Sequence, residues 1–291
     1  MAVATRRQST PPEVAPAVEL ANRAGRNLPA AIAVGVALGV VILVTLFTSR
    51  AAFVVVIVVA IAVGAWEVVR AAEEIETRVP LPPLLAGSVL IIVSAYLRGS
   101  DALVFALVST CLACFTWRLA DGGGPGYVRD VSASVLVVVY VPFLGGFAAL
   151  LTSAPDGAAR VIAFIVTSIC MDIGGYAAGV VAGRHPMAPS ISPKKSWEGF
   201  AGGLTACVVS GVAFLALVFH VAVWQGLAFG VAVGLAAMLG DLGQSMIKRD
   251  LGIKDMGSLL PGHGGLMERL DSLLLAAPVA WLLLTVFARV G

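Results

Sequence analysis

Residues 199–240 read GFAGGLTACVVSGVAFLALVFHVAVWQGLAFGVAVGLAAMLG, a run of 42 positions without Asp, Glu, Lys or Arg. A membrane-spanning helix needs about 20 apolar residues. The run is therefore long enough for two such helices, and we expect the turn between them near 220–225.

The rest of the chain has the same character. Its 291 residues are 59% hydrophobic and 12% charged, with a mean hydropathy of +0.98, whereas a soluble domain averages about 25% charged residues. Asp172 is the one charge in a further apolar run, 161–183. The remaining uncharged runs are 27–49, 51–66, 79–97, 102–117, 131–155 and 272–288. This composition predicts an all-α, polytopic membrane protein with about nine transmembrane helices.

The positions of lysine and arginine predict the orientation, because cytoplasmic loops carry an excess of these residues. With nine spans and a cytoplasmic N-terminus, fifteen of the 19 fall on the cytoplasmic side, and four do not: Arg50, Arg98, Arg160 and Arg289. We therefore expect a multi-pass protein of the cell (inner) membrane with the polar loops 184–198 and 248–270 in the cytoplasm. The basic residues are mixed with acidic ones, so no nucleic acid is expected as a partner.

The chain divides into three predicted parts. Residues 1–26 are rich in Pro, Ala and charge and are expected to form a disordered cytoplasmic tail. Residues 27–155 form the N-terminal transmembrane helices, which show little obvious chemistry. Residues 156–291 form a C-terminal catalytic transmembrane region and hold nearly all the unusual polar residues.

A first polar cluster lies in the sixth span. Asp172 and Tyr176 are four residues apart and share a helix face. An ionisable residue inside a span indicates function, and the alternative is a structural hydrogen bond from Asp172 to a neighbouring helix. Helix packing explains the row of small residues Gly175, Gly179 and Gly183.

A second cluster precedes residue 199 and reads Ser192-Pro193-Lys194-Lys195-Ser196-Trp197-Glu198. Ser192-Pro193 favours a turn, Ser196 is placed to cap the next helix, and Glu198 lies where a helix start favours a carboxylate. A helix N-terminus beside two lysines is a ready anion site, so we interpret the loop as binding phosphate. The alternative for the two lysines is that they serve only to orient the chain in the membrane. The alternative for Trp197 is that it anchors the helix at the membrane–water interface.

The third cluster puts nine charged residues into the 31 positions 241–271. Charge is costly at a membrane, so such a cluster needs a reason. One helix face is predicted to carry Asp241, Ser245 and Lys248, and another to carry Glu268, Asp271 and Ser272. Two helix ends would then offer carboxylate oxygens to one point, and oxygen is the ligand that Mg²⁺ prefers.

The same stretch carries groups suited to phosphate. Lys248 and Arg269 could neutralise a leaving pyrophosphate, and the loop Pro261-Gly262-His263-Gly264-Gly265 exposes backbone to phosphate oxygens. The alternative is a set of salt bridges that cap two helices. The interpretation favoured here is a metal-dependent reaction on phosphates.

At these residues the sequence resembles the membrane phosphatidate cytidylyltransferases, or CDP-diacylglycerol synthases. The resemblance covers about 170–272, and Ser192–Gly199 is similar to the family's SPKKTWEG element. The family's second conserved pattern is matched, in order, by Ser245, Lys248-Arg249, Lys254-Asp255, His263-Gly264-Gly265, Glu268-Arg269, Leu270 and Asp271. Two positions depart from the pattern. Glu268 stands where Asp is usual, which lengthens a metal ligand, and Gln244 stands where Glu is frequent, which removes a negative charge; either change could lower activity.

The resemblance implies an all-helical, homodimeric membrane enzyme that uses CTP and phosphatidate to make CDP-diacylglycerol and pyrophosphate. It implies Mg²⁺ held by Asp241, Glu268 and Asp271, with K⁺ as a further candidate beside it. Catalytic candidates are Asp241, Lys248, Arg269 and Asp271. Substrate-binding candidates are Asp172, Ser192, Lys194, Lys195, Ser196, Glu198, Ser245, Arg249, Lys254, Asp255, His263, Gly264 and Gly265.

The mechanism expected from these residues is direct transfer, in which the lipid phosphate attacks the α-phosphorus of CTP and no protein nucleophile is needed. Rival hypotheses are a related CTP-dependent enzyme on another lipid, such as a CDP-archaeol synthase or a polyprenol kinase. An ion-coupled transporter using Asp172 and Asp241 is a further rival, and the extramembrane Lys-rich and His-Gly-Gly segments argue against it.

Overall fold

The computed structural model describes residues 28–257, 259 and 264–288 of the chain. Apart from one two-stranded hairpin, the regular elements of this part are helical. The helices are α1 (Leu28–Thr48), α2 (Arg50–Glu73), α3 (Leu81–Arg98), α4 (Ser100–Ala120), α5 (Tyr127–Val138), α6 (Leu144–Ser153), α7 (Gly157–Ala182), α8 (Trp197–Val218), α9 (Val223–Asp250) and α10 (Met267–Phe287). A π-helical segment (Val139–Phe143) joins α5 to α6, and strands β1 (Pro186–Ala188) and β2 (Ser192–Ser196) lie between α7 and α8.

The helices match the predicted spans. Eight helical stretches of the described residues are long and apolar enough to cross a membrane, with Tyr127–Ser153 counted as one, and α1 adds a shorter apolar helix, Ala33–Thr48. The prediction of an all-α polytopic membrane protein is confirmed. The predicted tail 1–26 lies outside the described residues, and the three-part division of the chain stays a prediction.

Glycines bring the helices of the C-terminal half into backbone contact. The 199–240 run forms α8 and α9 with a break at 219–222, close to the predicted turn. A Cβ added at Gly230 of α9 would lie 2.4 Å from the carbonyl oxygen of Cys207 in α8. Likewise, a Cβ at Gly175 of α7 would lie 3.4 Å from the carbonyl oxygen of Gly199. Small residues allow this approach in a membrane, as predicted for the α7 row.

The hairpin was not predicted. β1 and β2 pair antiparallel, with an irregularity between Pro186 and Ala188. The turn expected at Ser192-Pro193 is wrong, because both residues lie in β2 and the turn comes earlier, at 189–191. Both strands of a two-stranded sheet are edges, and an edge strand tolerates the missing N–H of proline.

Candidate active site

The two polar loops meet at one end of the helix bundle. Lys195, in β2, places its Nζ 2.5 Å from Oδ2 of Asp241 in α9. Arg249, in the last turn of α9, donates from Nε to the carbonyl oxygen of Ile191 at 3.3 Å. The hairpin is therefore tied to α9, and the second and third sequence clusters form one site.

The start of α8 anchors the hairpin. Ser196 is the N-cap, and its Oγ accepts from the backbone N–H of Gly199 at 3.1 Å, which confirms the predicted cap. Oε2 of Glu198 accepts from the backbone N–H groups of Arg184 and His185 at 3.1 and 3.2 Å. Its Oε1 lies 2.5 Å from Nδ1 of the His185 ring. Glu198 thus binds the chain entering the hairpin.

Three aspartates gather where α7, α9 and α10 approach one another. A Cβ added at Gly240 would lie 2.3 Å from the carbonyl oxygen of Asp271, so α9 and α10 are in backbone contact there. Asp172 and Asp271 each lie within electrostatic range of Asp241. Oγ of Ser272 lies 3.5 Å from Asp172 Oδ1 and 3.2 Å from Asp271 Oδ1. The sixth span therefore contributes its one charge to this site.

Glu268 holds the loop between α9 and α10. Its Oε1 accepts from the backbone N–H of Met256 at 2.6 Å, and its Oε2 accepts from that of Gly265 at 2.9 Å. Lys248, across from it on α9, places its Nζ 3.8 Å from Oε1. Both oxygens of the longer acid are thus engaged by loop backbone, which gives Glu268 a structural task that the sequence pattern does not reveal.

Glu67 of α2 is a site residue that the sequence reasoning missed. Its side chain is only 1% exposed. Oε1 accepts from the backbone N–H of Leu266 at 3.0 Å, and Oε2 accepts from that of Met267 at 2.8 Å. A carboxylate at a helix N-terminus satisfies free N–H groups and complements the helix dipole. Its only sequence signal is an acid at the end of a long uncharged run.

Glycine is required at each of the two positions before α10, Gly264 and Gly265, for a different physical reason. Gly264 has φ +77°, a left-handed conformation that favours glycine. A Cβ added at Gly265 would lie 2.6 Å from both carboxylate oxygens of Glu67 and 2.8 Å from Oε2 of Glu268. Gly265 therefore fits between two acids only because it has no side chain. The predicted binding residue His263 lies outside the described residues.

A cavity of about 480 Å³ opens beside the Lys195–Asp241 pair. One part of its wall is polar and includes Asp172, Lys194, Lys195 and Asp241. Another part is apolar and includes Met171, Val180, Phe200 and Met238. The cavity can therefore contact both an anionic group, beside its two lysines, and a hydrocarbon portion.

The remaining candidates on β2 and α9 lie around this pair. Ser192 and Lys194 are both in β2, and Ser245 places its Oγ 3.5 Å from Oδ1 of Asp241. Gln244, one of the two departures from the family pattern, is fully buried at 0% exposure. Its side-chain amide has no hydrogen-bond partner among the described residues. Gln244 is therefore packed in the protein interior, and it is not among the residues that line the cavity.

The candidates after α9 are more peripheral. Lys254 and Asp255 are exposed in the loop that follows α9. A Cβ added at Gly264 would lie 3.8 Å from Oδ1 of Asp255, so this acid borders the glycine pair. Arg269 is exposed on the first turn of α10 and lies within electrostatic range of Asp172. Each of these residues stays a predicted site residue.

The acids suit a divalent cation whose set of ligands would be completed by the substrate. Across residues 28–257, 259 and 264–288, no group of three or more His, Cys, Asp or Glu side chains is arranged to hold a metal ion. Mg²⁺, however, usually takes one or two carboxylates together with substrate phosphates. Asp241 and Asp271, close to each other and to Asp172, offer oxygen donors of that kind. The predicted set of Asp241, Glu268 and Asp271 stays a prediction.

Comparison with known proteins agrees with this chemistry. The sequence model described as the cytidylyltransferase family matches residues 29–287. The chain is 41% identical over 282 residues to a phosphatidate cytidylyltransferase of Mycobacterium bovis, covering 93% of this chain and 92% of that protein. It is 42% identical over 278 residues to that of Mycobacterium leprae (90% and 89% covered) and 35% identical over 157 residues to that of Staphylococcus saprophyticus (53% and 59%). With a match along nearly its whole length, the chain belongs to the cytidylyltransferase family of enzymes.

Proposed function

We propose that this protein transfers CMP from CTP to phosphatidate, giving CDP-diacylglycerol and pyrophosphate, at the cytoplasmic face of the cell membrane. The observation that carries the proposal is the cavity beside Lys195 and Asp241, whose wall is partly charged and partly apolar. The mycobacterial relatives bear the name of this activity. The cytoplasmic assignment rests on the lysine and arginine distribution and suits CTP, which is soluble, and phosphatidate, whose tails stay in the bilayer.

The cavity's two kinds of wall suit the two parts of phosphatidate. The ammonium groups of Lys194 and Lys195 would attract the phosphate, because a helix N-terminus beside two cations is an anion site. The side chains of Met171, Phe200 and Met238 would contact glycerol-proximal hydrocarbon. This arrangement would hold the phosphate beside Lys194 and Lys195 and leave the tails to extend toward the bilayer.

The proposed reaction is an in-line displacement at phosphorus. A phosphate oxygen of phosphatidate forms a bond to the α-phosphorus of CTP, and the bond from that phosphorus to the oxygen bridging the β-phosphate breaks. The electron pair leaves with pyrophosphate, and no residue of the chain becomes covalently modified. Lys195, Lys248 and Arg269 would balance the negative charge of the two phosphate groups, which otherwise repel each other.

We further propose Mg²⁺ as the cofactor, held by Asp241 and Asp271, with Glu268 or Asp172 adjoining. Bound Mg²⁺ would act as a Lewis acid on the phosphoryl oxygens and orient the reacting groups. The residues' own part is to keep carboxylate oxygens close together at the α9–α10 contact, where Gly240 permits the approach. A neighbouring K⁺ and a homodimer stay predictions, and native mass spectrometry of the detergent-solubilised protein would test the latter.

A labelled-CTP assay on membranes from cells that express the chain tests the proposal. With CTP labelled at the α-phosphate, we expect label to enter a phosphatidate-dependent lipid product, in the presence of Mg²⁺. If label reaches the lipid from γ-labelled CTP but not from α-labelled CTP, the protein is instead a lipid kinase. Product with archaeal-type or other lipid acceptors but none with phosphatidate would indicate a different substrate. CTP-independent, ion-coupled uptake without product would indicate a transporter.

A further inference from the structure

The π-helical segment Val139–Phe143 places an N-terminal residue, Tyr140, near the aspartates of the candidate active site. Asp241 and Asp271 are both within electrostatic range of the Tyr140 side chain. Packing around Gly64 shows the same approach, because a Cβ added there would lie 3.1 Å from Leu270 of α10 and 3.8 Å from Val141. The π segment, α2 and the first turns of α10 therefore meet beside the carboxylates.

The phenol of Tyr140 has nothing to bind within the described chain. The residue is 9% exposed, and its hydroxyl is buried without a hydrogen-bond partner among the described residues. A buried hydroxyl without a partner costs free energy, so such groups in native proteins call for an explanation. Single π turns inside helices are frequent at functional sites, and this one, with Pro142 inside it, carries the tyrosine.

The neighbouring acids already have partners. Asp241 Oδ2 lies 2.5 Å from the Lys195 ammonium. Asp271 Oδ1 accepts from the backbone N–H of Ser272 at 2.6 Å and from its hydroxyl at 3.2 Å. The phenolic O–H is thus a spare donor in a site rich in negative charge. An acceptor that arrives together with its own compensating charge, such as a substrate phosphate beside Lys195, would satisfy it.

We propose that Tyr140 donates a hydrogen bond to a phosphate oxygen of the bound substrate. This inference rests on the proposed function, and it makes Tyr140 a catalytic residue supplied by the N-terminal helices. The phosphate could belong to CTP or to phosphatidate. Both present the same charged oxygen acceptor, so the experiment measures the two substrates separately.

The first measurement is the thermal stability of the full-length Tyr140→Phe variant in detergent, with and without ligand. The ligand-free variant should melt at the wild-type temperature or slightly above it, because the lost hydroxyl has no partner. The rise in melting temperature caused by CTP or by phosphatidate should shrink. Tyr96→Phe, a half-buried tyrosine of α3, is the matched control and should retain both shifts.

The second measurement is steady-state kinetics with CTP and phosphatidate varied in turn. We expect kcat/KM to fall about 10- to 100-fold, the range for a hydrogen bond to a charged group. A raised KM for one substrate identifies whose phosphate is contacted. A fall in kcat with both KM values unchanged would place the contact in the transition state, which supports the proposal equally.

Three results would count against it. Wild-type kinetics and wild-type ligand shifts in Tyr140→Phe would overturn the tyrosine contact and leave the proposed function standing. A lower melting temperature of the ligand-free variant, with a proportionate loss of active protein, would assign Tyr140 to packing instead. Wild-type protein that makes no CDP-diacylglycerol would overturn the proposed function and this inference with it.

Discussion

The two ends of helix α10 are held by opposite charges from distant parts of the chain. At the N-terminal end, the Glu67 carboxylate accepts from the backbone of Leu266 and Met267 at 3.0 and 2.8 Å. At the C-terminal end, the Arg160 guanidinium donates to the carbonyl oxygens of Leu284 and Ala288 at 2.9 and 2.5 Å. Each charge complements the end of the helix dipole that it faces.

The ends differ in what surrounds these contacts, which we call the N-terminal clamp (Glu67 with two backbone N–H groups) and the C-terminal clamp (Arg160 with two carbonyl groups). The N-terminal clamp touches Gly265 and lies one turn before Asp271, so we expect a movement there to displace the Asp271 carboxylate. The C-terminal clamp is completed by an ion pair of 2.5 Å between Arg160 and Asp156, far along the helix from the acids. We therefore predict that changes at the first end lower activity and that changes at the second end lower stability. Arg160 is one of the four arginines predicted to lie on the non-cytoplasmic side, and these contacts give it a structural role there.

The largest expected effect is on activity, at the N-terminal end. Asp271→Asn removes one carboxylate charge from the acid cluster while keeping its shape. We expect CTP-dependent CDP-diacylglycerol formation to fall about 100- to 1,000-fold, with little change in melting temperature. Asp101→Asn, at the exposed first turn of α4, should be neutral. Undiminished turnover with intact Mg²⁺ dependence would remove Asp271 from the proposed metal site.

Glu67→Gln should have the next largest effect. Gln presents one acceptor and one amide donor to two N–H groups, and it loses the charge that faces the helix dipole. We expect kcat to fall about 10-fold and the free energy of unfolding to fall by about 2 kcal/mol. Circular dichroism melts and the labelled-CTP assay measure the two. Glu73→Gln, on the exposed end of the same helix, is the control. Equal activity in both variants would contradict a positioning role for Glu67.

Gly265→Ala tests the crowding at the same end by adding a single methyl group. Because the new Cβ would meet the Glu67 and Glu268 oxygens at 2.6–2.8 Å, the acids or the loop must move, and we expect activity to fall severalfold, about 1 kcal/mol in kcat/KM. Gly243→Ala on α9, where a Cβ meets nothing within 4 Å, is the matched control. If the two alanine variants behave alike, the close fit around Gly265 is not required for turnover.

The smallest expected effect on turnover comes from the C-terminal end. Arg160→Ala leaves the Ala288 carbonyl without its side-chain donor, removes one of two donors from the Leu284 carbonyl and unpairs Asp156, and we expect a loss of about 2–3 kcal/mol in the free energy of unfolding. The protein that stays folded should keep its kcat within about threefold, since less than 1 kcal/mol would reach the active site. Arg98→Ala, an exposed arginine at the end of α3, should change neither quantity. A loss of kcat as large as that of Glu67→Gln would abolish the contrast between the two ends.

Local features of the site followed from the sequence. Ser196 caps α8 as expected, and Asp241 and Ser245 share a face of α9, because the 3.6-residue helical period determines which neighbours align. The backbone approach of α7 to α8 also followed from the spacing of small residues. The ligand roles of Glu268, His263 and their neighbours are still predictions, to be decided by the experiments above.

The sequence alone determined that this chain spans a membrane many times, because long uncharged runs have no other stable environment, and it placed the polar clusters along the chain. Only the tertiary structure decided that Glu67 reaches Met267 across 200 positions and that Tyr140 approaches Asp271. The reason is physical: all the spans are similarly apolar, so hydropathy cannot select neighbours. Close packing of small residues and buried hydrogen bonds between distant helices make that selection.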